Sequence, residues 1–337
     1  MSEEGLAISK VFPKGTILMT IAANIGDCAM LDFDSACPDS LIGILPRDGM
    51  DGLFLLYTLI HLKDHLHYLA PAGAQKNLNL AFLRKIEVPV PPVPEQRRIA
   101  ALLETWDRGL ERLEKVLKAK QQFKRGLMQQ LLAGKRRFPE FNGSQWAKMK
   151  IGQFTRPAQR VVKKPDESFK ALGIRSHCKG TFLKRDFDPA AIEMTELFEV
   201  RKDDLIVNIT FAWEGAIAIV GDAEDGALVS HRFPTYVFNK DLVLPEYFRY
   251  VIVQRSFVTK LGLISPGGAG RNRVLSKRDF AKIEVLVPPI PEQKRIAALL
   301  NSCDREIELL QAELTAFKDQ KRGLMQKLLT GEVRIRA

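Results

Sequence analysis

The sequence predicts an α+β chain. Two α/β globular segments, the first of them incomplete, are separated by two long helices packed as an antiparallel coiled coil. Three observations predict it. Residues 85–134 recur without a gap at residues 282–331, with 31 of the 50 positions identical. Each copy carries a heptad-spaced apolar seam. Short β-branched and apolar runs bounded by turn residues precede each copy. The offset of 197 residues is far too long for a solenoid repeat, so it marks two copies of a domain-plus-helix unit.

The first segment, residues 1–94, holds an expected strand at residues 16–22 (TILMTIA), a helix at residues 53–66 (LFLLYTLIHLKDHL) and a strand at residues 86–90. Residues 91–103 (PPVPEQRRIAALL) then start the first long helix, 95–137. Proline suits the first helical turn, and Glu95 meets the positive end of the helix dipole there. The seam runs Ile99, Leu103, Trp106, Leu110, Leu113, Leu117, Leu127 and Leu131, with Lys120 and Lys124 interrupting, and Gly134 stops it. The second segment, 138–291, offers strands at residues 204–211 and 216–220 and a helix at residues 245–261. The second long helix, 292–337, repeats the start signal with Glu292. Its seam is Ile296, Leu300, Cys303, Ile307, Leu310, Leu314, Phe317, Leu324 and Leu328, broken at Lys321. Neither stripe can stay exposed over such a length. Residues 99–132 are therefore expected to pair antiparallel with residues 296–329, with one globular segment at each end.

The two segments also match weakly. Residues 12–18 fall against residues 200–206, and residues 54–66 against residues 250–263. At the 197-residue offset Met1 corresponds to Phe198, so residues 138–197 have no counterpart in the first segment. The expectation is that the front of that segment is absent.

The chain has 337 residues and a formal charge of +11, with ordinary apolar content. That excludes a disordered chain and implies an acidic partner, either nucleic acid or an anionic surface. Residues 1–94 hold seven Lys and Arg against ten Asp and Glu, whereas residues 142–198 hold eleven against six. The surplus lies in the stretch the first segment lacks. The opening MSEEGLAISK is not a secretory signal, and the longest apolar run, residues 53–60, is too short to span a membrane, so a cytoplasmic protein is expected. Cys28, Cys37, Cys178 and Cys303 show no metal-ligand spacing and read as free, mostly buried thiols.

No phosphate loop, dinucleotide fingerprint or base-methylation motif occurs. His61 and His65 lack the glutamate of a zinc protease, and Asp166-Glu167 lacks the E-x-K of a nuclease. No catalytic residue, metal ligand or cofactor is expected. Two features point to nucleic acid. One is the basic series Arg156, Arg160, Lys163, Lys164, Lys170, Arg175, Lys179, Lys184 and Arg185, suited to phosphates. The other is a glycine-rich turn before each copy of the repeat, with Gln75 and Lys76 in the first and Arg271, Asn272 and Arg273 in the second. Glycine allows close backbone approach, while Arg, Asn and Gln offer bidentate donors to guanine and adenine. A solvated basic face and an ordinary structural turn remain the competing readings of these two features.

The duplicated PPxPEQxRIAALL, the aspartates Asp107 and Asp304, and KRGLMQxLLxG at residues 124–134 and 321–331 resemble the specificity subunit of type I restriction–modification systems. The resemblance implies two target-recognition domains, each reading half of a bipartite site on double-stranded DNA. It implies a subunit that is not itself catalytic. It also implies docking of two methyltransferase (modification) subunits and, through the complex, of an ATP-dependent restriction subunit. The front of the first domain departs from that pattern. A fragment that keeps the scaffold and binds modification subunits without full DNA recognition is the alternative.

Overall fold

The computed structural model describes residues 10–21, 24–38, 40–69, 83–267 and 273–335. It forms two compact units, residues 1–119 with 307–337 and residues 120–306.

In the first unit, β2 (Ile17–Thr20) is the centre of an antiparallel sheet between β3 (Cys28–Met30) and β5 (Leu41–Ile44). The short strands β1 (Val11–Phe12) and β4 (Ser35–Ala36) pair beside it. Phe12 lies flat on Gly43, where a Cβ would come within 2.1 Å of the ring, so β5 needs glycine there. Met19, Ile25 and Leu66 bury together under the sheet. Helix α1 (Gly52–Leu69) supplies Phe54 and Tyr57 to a second cluster. That cluster also holds Ile99, Ala100 and Leu103 of α2 (Val93–Leu131) and Met325, Leu328 and Leu329 of the last helix, α7 (Ile290–Leu329).

The second unit begins with β6 (Ala147–Lys150), which pairs with β16 (Glu284–Val287). Between them lie two sheets. One has the order β13 (Ile217–Ile219), β12 (Leu205–Val207), β15 (Thr235–Phe238) and β7 (Thr155–Ala158), all antiparallel. The other runs β10 (Thr181–Phe187), β9 (Phe169–Ile174), β14 (Leu228–Val229), β11 (Glu196–Glu199) and β8 (Val161–Lys163). Leu172, Ile174, Val200, Ile206 and Val229 form one core. A larger core gathers Ile151 and Phe154 of α3 (Ile151–Phe154), Tyr247 and Phe248 of α4 (Pro245–Val251), Phe257 and Leu261 of α5 (Arg255–Leu263), and Phe280 of α6 (Lys277–Phe280). Leu127 and Leu131 of α2 and Ile296 and Leu300 of α7 complete it.

The long helices pair antiparallel within each unit. In the first, Trp106 stacks at a tilt on Phe317 with centroids 5.3 Å apart, Lys318 binds Glu114 at 2.7 Å, and Lys321 binds Asp107. In the second, Lys120 binds Glu306 at 2.7 Å and Lys124 binds Asp304. Within each unit the ion pairs run in opposite order along the two helices, Asp107–Lys321 then Glu114–Lys318 in the first and Lys120–Glu306 then Lys124–Asp304 in the second. The lysines that interrupt the seam in the sequence are thus its cross-links. The seam dries out unevenly: Ile99, Leu103, Ile296 and Leu300 are fully buried, while Leu113, Leu117, Ile307, Leu310 and Leu314 are half-buried.

The repeat extends into the globular parts, with a register that drifts. Gly15 and Asp203 both have positive φ, 86° and 70°. Gly15 N–H donates to the Leu31 carbonyl as Asp203 N–H does to that of Val220. That places β2 on β12 at an offset of 188, the pairing read from residues 12–18. At the helices the offset becomes 193. Tyr57 hydroxyl donates to Asp107 at 2.7 Å, and Tyr250 hydroxyl to Asp304 at 2.6 Å. Gln96 takes the Asp51 N–H and donates to the Gly49 and Pro91 carbonyls; Gln293 takes the Leu244 N–H and donates to those of Leu242 and Pro288. The expected match of residues 54–66 with 250–263 is therefore out by about one helical turn.

Other expectations are corrected too. Residues 86–90 form no strand, although their counterparts form β16. Residues 245–261 are two helices, broken between Val251 and Arg255. The strand within residues 204–211 ends at Val207, and the backbone turns at Asn208, whose side chain accepts the Thr210 N–H. The four cysteines are half-buried rather than buried.

Candidate nucleic-acid interface

Hairpin β9–β10 and its turn hold Lys170, Arg175, Lys179, Lys184 and Arg185 against the single acidic residue Asp186. Its inner face buries Leu172 and Ile174. On its outer face Phe182 lies over Gly173, where a Cβ would approach the ring to 2.3 Å. The Arg175 guanidinium sits 5.1 Å from the Phe182 ring, the Lys184 ammonium 5.4 Å from Phe187, and Phe187 tilts against Phe169 at 5.4 Å. Cations held over aromatic faces keep their charge facing outward and give flat apolar surfaces beside it.

The hairpin turn is locked from below. His177 and Cys178 both adopt positive φ, 60° and 54°. Their N–H groups donate to the Glu214 and Gly215 carbonyls at 2.7 and 3.0 Å, and Ser176 hydroxyl donates to the Glu214 carboxylate at 2.8 Å. A Cβ at Gly215 would meet the Cys178 sulfur at 2.9 Å. Next to Glu214 stands Trp213, whose indole N–H donates to the Thr210 carbonyl at 3.1 Å and whose ring carries the Arg273 guanidinium at 5.2 Å. Arg175 and Lys179, in the turn, are thus brought to one loop cluster with Arg273, a hundred residues away in sequence.

The remaining residues of the basic series spread apart. Arg156 is exposed on β7, an edge strand of the other sheet, and Lys163 is exposed on β8, the far edge from Lys184. Arg160 is committed internally. It forms a two-nitrogen pair with Asp204, which is 3% exposed, and that pairing raises the Arg160 pKa further. Lys164 donates to the Pro189 and Ile192 carbonyls at 3.3 and 3.2 Å, closing the loop before β11. Gln75, Lys76, Arg271 and Asn272 lie outside the described residues. Sequence reasoning missed Trp213, Phe182 and Phe187. The alternation of aromatic and basic residues in residues 182–187 was the available signal for the last two; nothing local marked Trp213.

Three comparisons bear on both units. The family model for the type I restriction modification DNA specificity domain matches residues 3–121 and again residues 146–317, one match on each copy of the repeat. The chain belongs to that type I specificity family. Among curated relatives, two specificity subunits from Methanocaldococcus jannaschii are similar along most of the chain. MjaX is 23% identical over 309 residues, covering 86% of this chain and 70% of the relative. MjaVIII, of a type I restriction enzyme, is 22% identical over 314 residues, covering 85% and 71%. The fold is shared with a solved type I restriction–modification S subunit from M. genitalium. The TM-score is 0.60 at 17% identity, over 95% of this chain and 84% of that one. A second structure, from work on the assembly of the type I system, also gives 0.60, at 14% identity over 96% and 84%. No helix among the described residues of this specificity-family chain is long and apolar enough to cross a membrane.

Proposed function

We propose that this chain is the sequence-specific DNA-recognition subunit of a type I restriction–modification complex, acting in the cytoplasm and without catalytic residues of its own. The observation that carries it is the double family match, one on each repeat. The second unit reads one half-site through the β9–β10 turn and the Trp213 loop, with Arg175, Lys179 and Arg273 as the contacting side chains and Lys184, Arg156 and Lys163 on flanking phosphates. Arg160 and Lys164 are left out, being used within the domain. The long helices and their matched loops dock two modification subunits, because two like surfaces recruit two copies of one partner. An ATP-dependent restriction subunit joins through that complex.

Footprinting and titration with the modification subunits added test this. Removing a phosphate contact weakens all sequences alike and lowers the salt slope by about 1, whereas losing a bidentate base contact costs about 1–3 kcal/mol at one base pair. Lys184→Ala is expected to do the first and Arg273→Ala the second. Unchanged binding in both variants would remove the hairpin from the interface. A second reading, that the chain reads only one half-site, is favoured by the smaller first unit. Its sheets have three and two strands among the described residues, against five, four and two in the second. One protected block of DNA, rather than two about a helical turn apart, is the result that reading expects.

A further inference from the structure

The loop cluster that brings Arg175 and Lys179 to Arg273 also contains a carboxylate, Glu214. A negative charge beside cations that meet phosphates costs affinity. Its hydrogen bonds give it another use. The side chain accepts the Ser176 hydroxyl at 2.8 Å, and its main-chain carbonyl accepts the His177 N–H at 2.7 Å. The next carbonyl, of Gly215, accepts the Cys178 N–H at 3.0 Å.

The β9–β10 turn depends on these bonds because its own sequence does not favour its shape. His177 and Cys178 both have positive φ, 60° and 54°. Hairpin turns with two successive left-handed residues favour Asn-Gly or Asp-Gly, and a side chain-bearing residue held there without that preference costs free energy. The Arg175 N–H closes the hairpin on the Gly180 carbonyl at 2.9 Å, and the residues inside it bond to Glu214 and Gly215. An anchor outside the turn thus holds what the turn does not hold by itself.

That anchor is fixed. It belongs to the loop between β12 and β13. Asn208, 9% exposed, donates its N–H to the Ala216 carbonyl at 2.9 Å and accepts the Thr210 N–H on its side chain at 3.0 Å. Ala212 is fully buried, and a Cβ on Gly215 would stand 3.5 Å from Val258 of α5. The same loop supports Arg273. Trp213 carries its guanidinium, and the Ile209 carbonyl accepts the N–H of Leu275, two residues further on, at 2.9 Å.

We propose that Glu214 is a positioning residue of the DNA-reading surface. It holds the β9–β10 turn, with Arg175 and Lys179, in register with the fixed loop that carries Trp213 and Arg273. This rests on the reading in which those three cations contact DNA. The working part of Glu214 is an acceptor oxygen for Ser176; neither its charge nor a contact to a base is involved.

The test measures binding of the chain with its modification subunits to a library of duplexes, and reads the discrimination at each base pair. Glu214→Ala is expected to lower it about 3–10-fold, the worth of one hydrogen bond, at the base pairs that Arg175→Ala or Lys179→Ala also affects. The base pair affected by Arg273→Ala should keep its discrimination. Glu214→Gln retains an oxygen for Ser176 and should discriminate as the parent does. Any effect of the lost charge is common to both Glu214 variants and uniform over sequences. Ser176→Ala, which leaves the carboxylate in place, should repeat the loss with the thermal midpoint kept. In a chain carrying His177→Asn and Cys178→Gly, whose turn favours left-handed residues, adding Glu214→Ala should change little. The inference is overturned by unchanged discrimination in Glu214→Ala and Ser176→Ala, or by equal losses in Glu214→Gln and Glu214→Ala. A loss uniform over all sequences that follows the thermal midpoint, or an undiminished effect of Glu214→Ala in the Asn-Gly turn, would overturn it as well. Arg175→Ala and Lys179→Ala without effect at any base pair would remove the turn from the reading surface, and this inference with it. Clear effects of those two beside a silent Glu214→Ala would overturn this inference alone.

Discussion

Glu95 and Glu292 each hold an arginine from the far end of the other long helix, and both carboxylates are almost wholly removed from water, at 8% and 1% side-chain exposure. The Arg334 guanidinium beside Glu95 holds its carboxyl below the usual value of 4.5. A carboxyl depressed on folding contributes stability that is present above its unfolded pKa and is lost as pH falls through its folded one. Urea midpoints are therefore expected to drop between pH 5 and pH 3, and Glu95→Gln should flatten that drop; an equally steep drop in the variant would exclude the pair as a cause. Gly173 allows a different expectation. Any Cβ there collides with Phe182, so Gly173→Ala should cost about 1–3 kcal/mol. It should also lift the ring that carries Arg175, lowering DNA affinity beyond what the stability loss explains. Thermal denaturation and a DNA titration of the same preparation separate the two effects.

At the level of elements, the helix pair was legible because its signal is periodic and doubled. The proline-glutamate start, the seam positions and the glycine stop all fall within one continuous stretch in each copy, residues 91–134 and 288–331. What was not legible depended on partners elsewhere. Residues 86–90 read as a strand from their Ile-Glu-Val-Pro-Val pattern, but a strand needs a neighbour, and none is described for them. Residues 245–261 read as one helix because their apolar content is continuous; the break is set by Gln254, which starts α5 with an extended backbone at ψ 138°. Arg160 and Lys163 look alike in sequence, and only the buried Asp204 tells them apart. Leu300, fully buried among residues of three helices, is where the pair is most sensitive. Leu300→Ala should cost about 2–5 kcal/mol, whereas Leu309→Ala, at 65% exposure, should change the urea midpoint little. Similar losses at both positions would contradict the pairing described.

For the whole molecule, the matched Tyr–Asp–Lys and Gln clusters show that the two units are built on one plan, and the drift of the offset from 188 to 193 to 197 shows where they diverged. Nine residues were gained or lost between the sheets and the repeat, in two steps, without disturbing either cluster. Those clusters use residues from both long helices, so they should act as paired supports. Removing Lys124 leaves Asp304 with Tyr250, and removing Lys321 leaves Asp107 with Tyr57. Lys124→Met and Lys321→Met are therefore expected to give similar stability losses, each about 0.5–3 kcal/mol, and to add in the double variant since they lie in different units. Strong non-additivity in chemical denaturation would show that the two clusters are coupled.

The first unit is assembled from two separate runs of chain, residues 1–119 and 307–337. This has a consequence for the order of events on the ribosome. The seat of Leu103 and Asp107 is made partly of Met325, Leu328 and Lys321, which are translated more than two hundred residues later. At about 5–20 residues per second, that leaves the first helix without its partner for roughly 10–40 s. During that interval its apolar seam is bare, while the second unit needs only residues up to 306 to close. The half of the protein that is synthesised first is the half that finishes last, and nascent-chain partners have their longest opportunity at that seam.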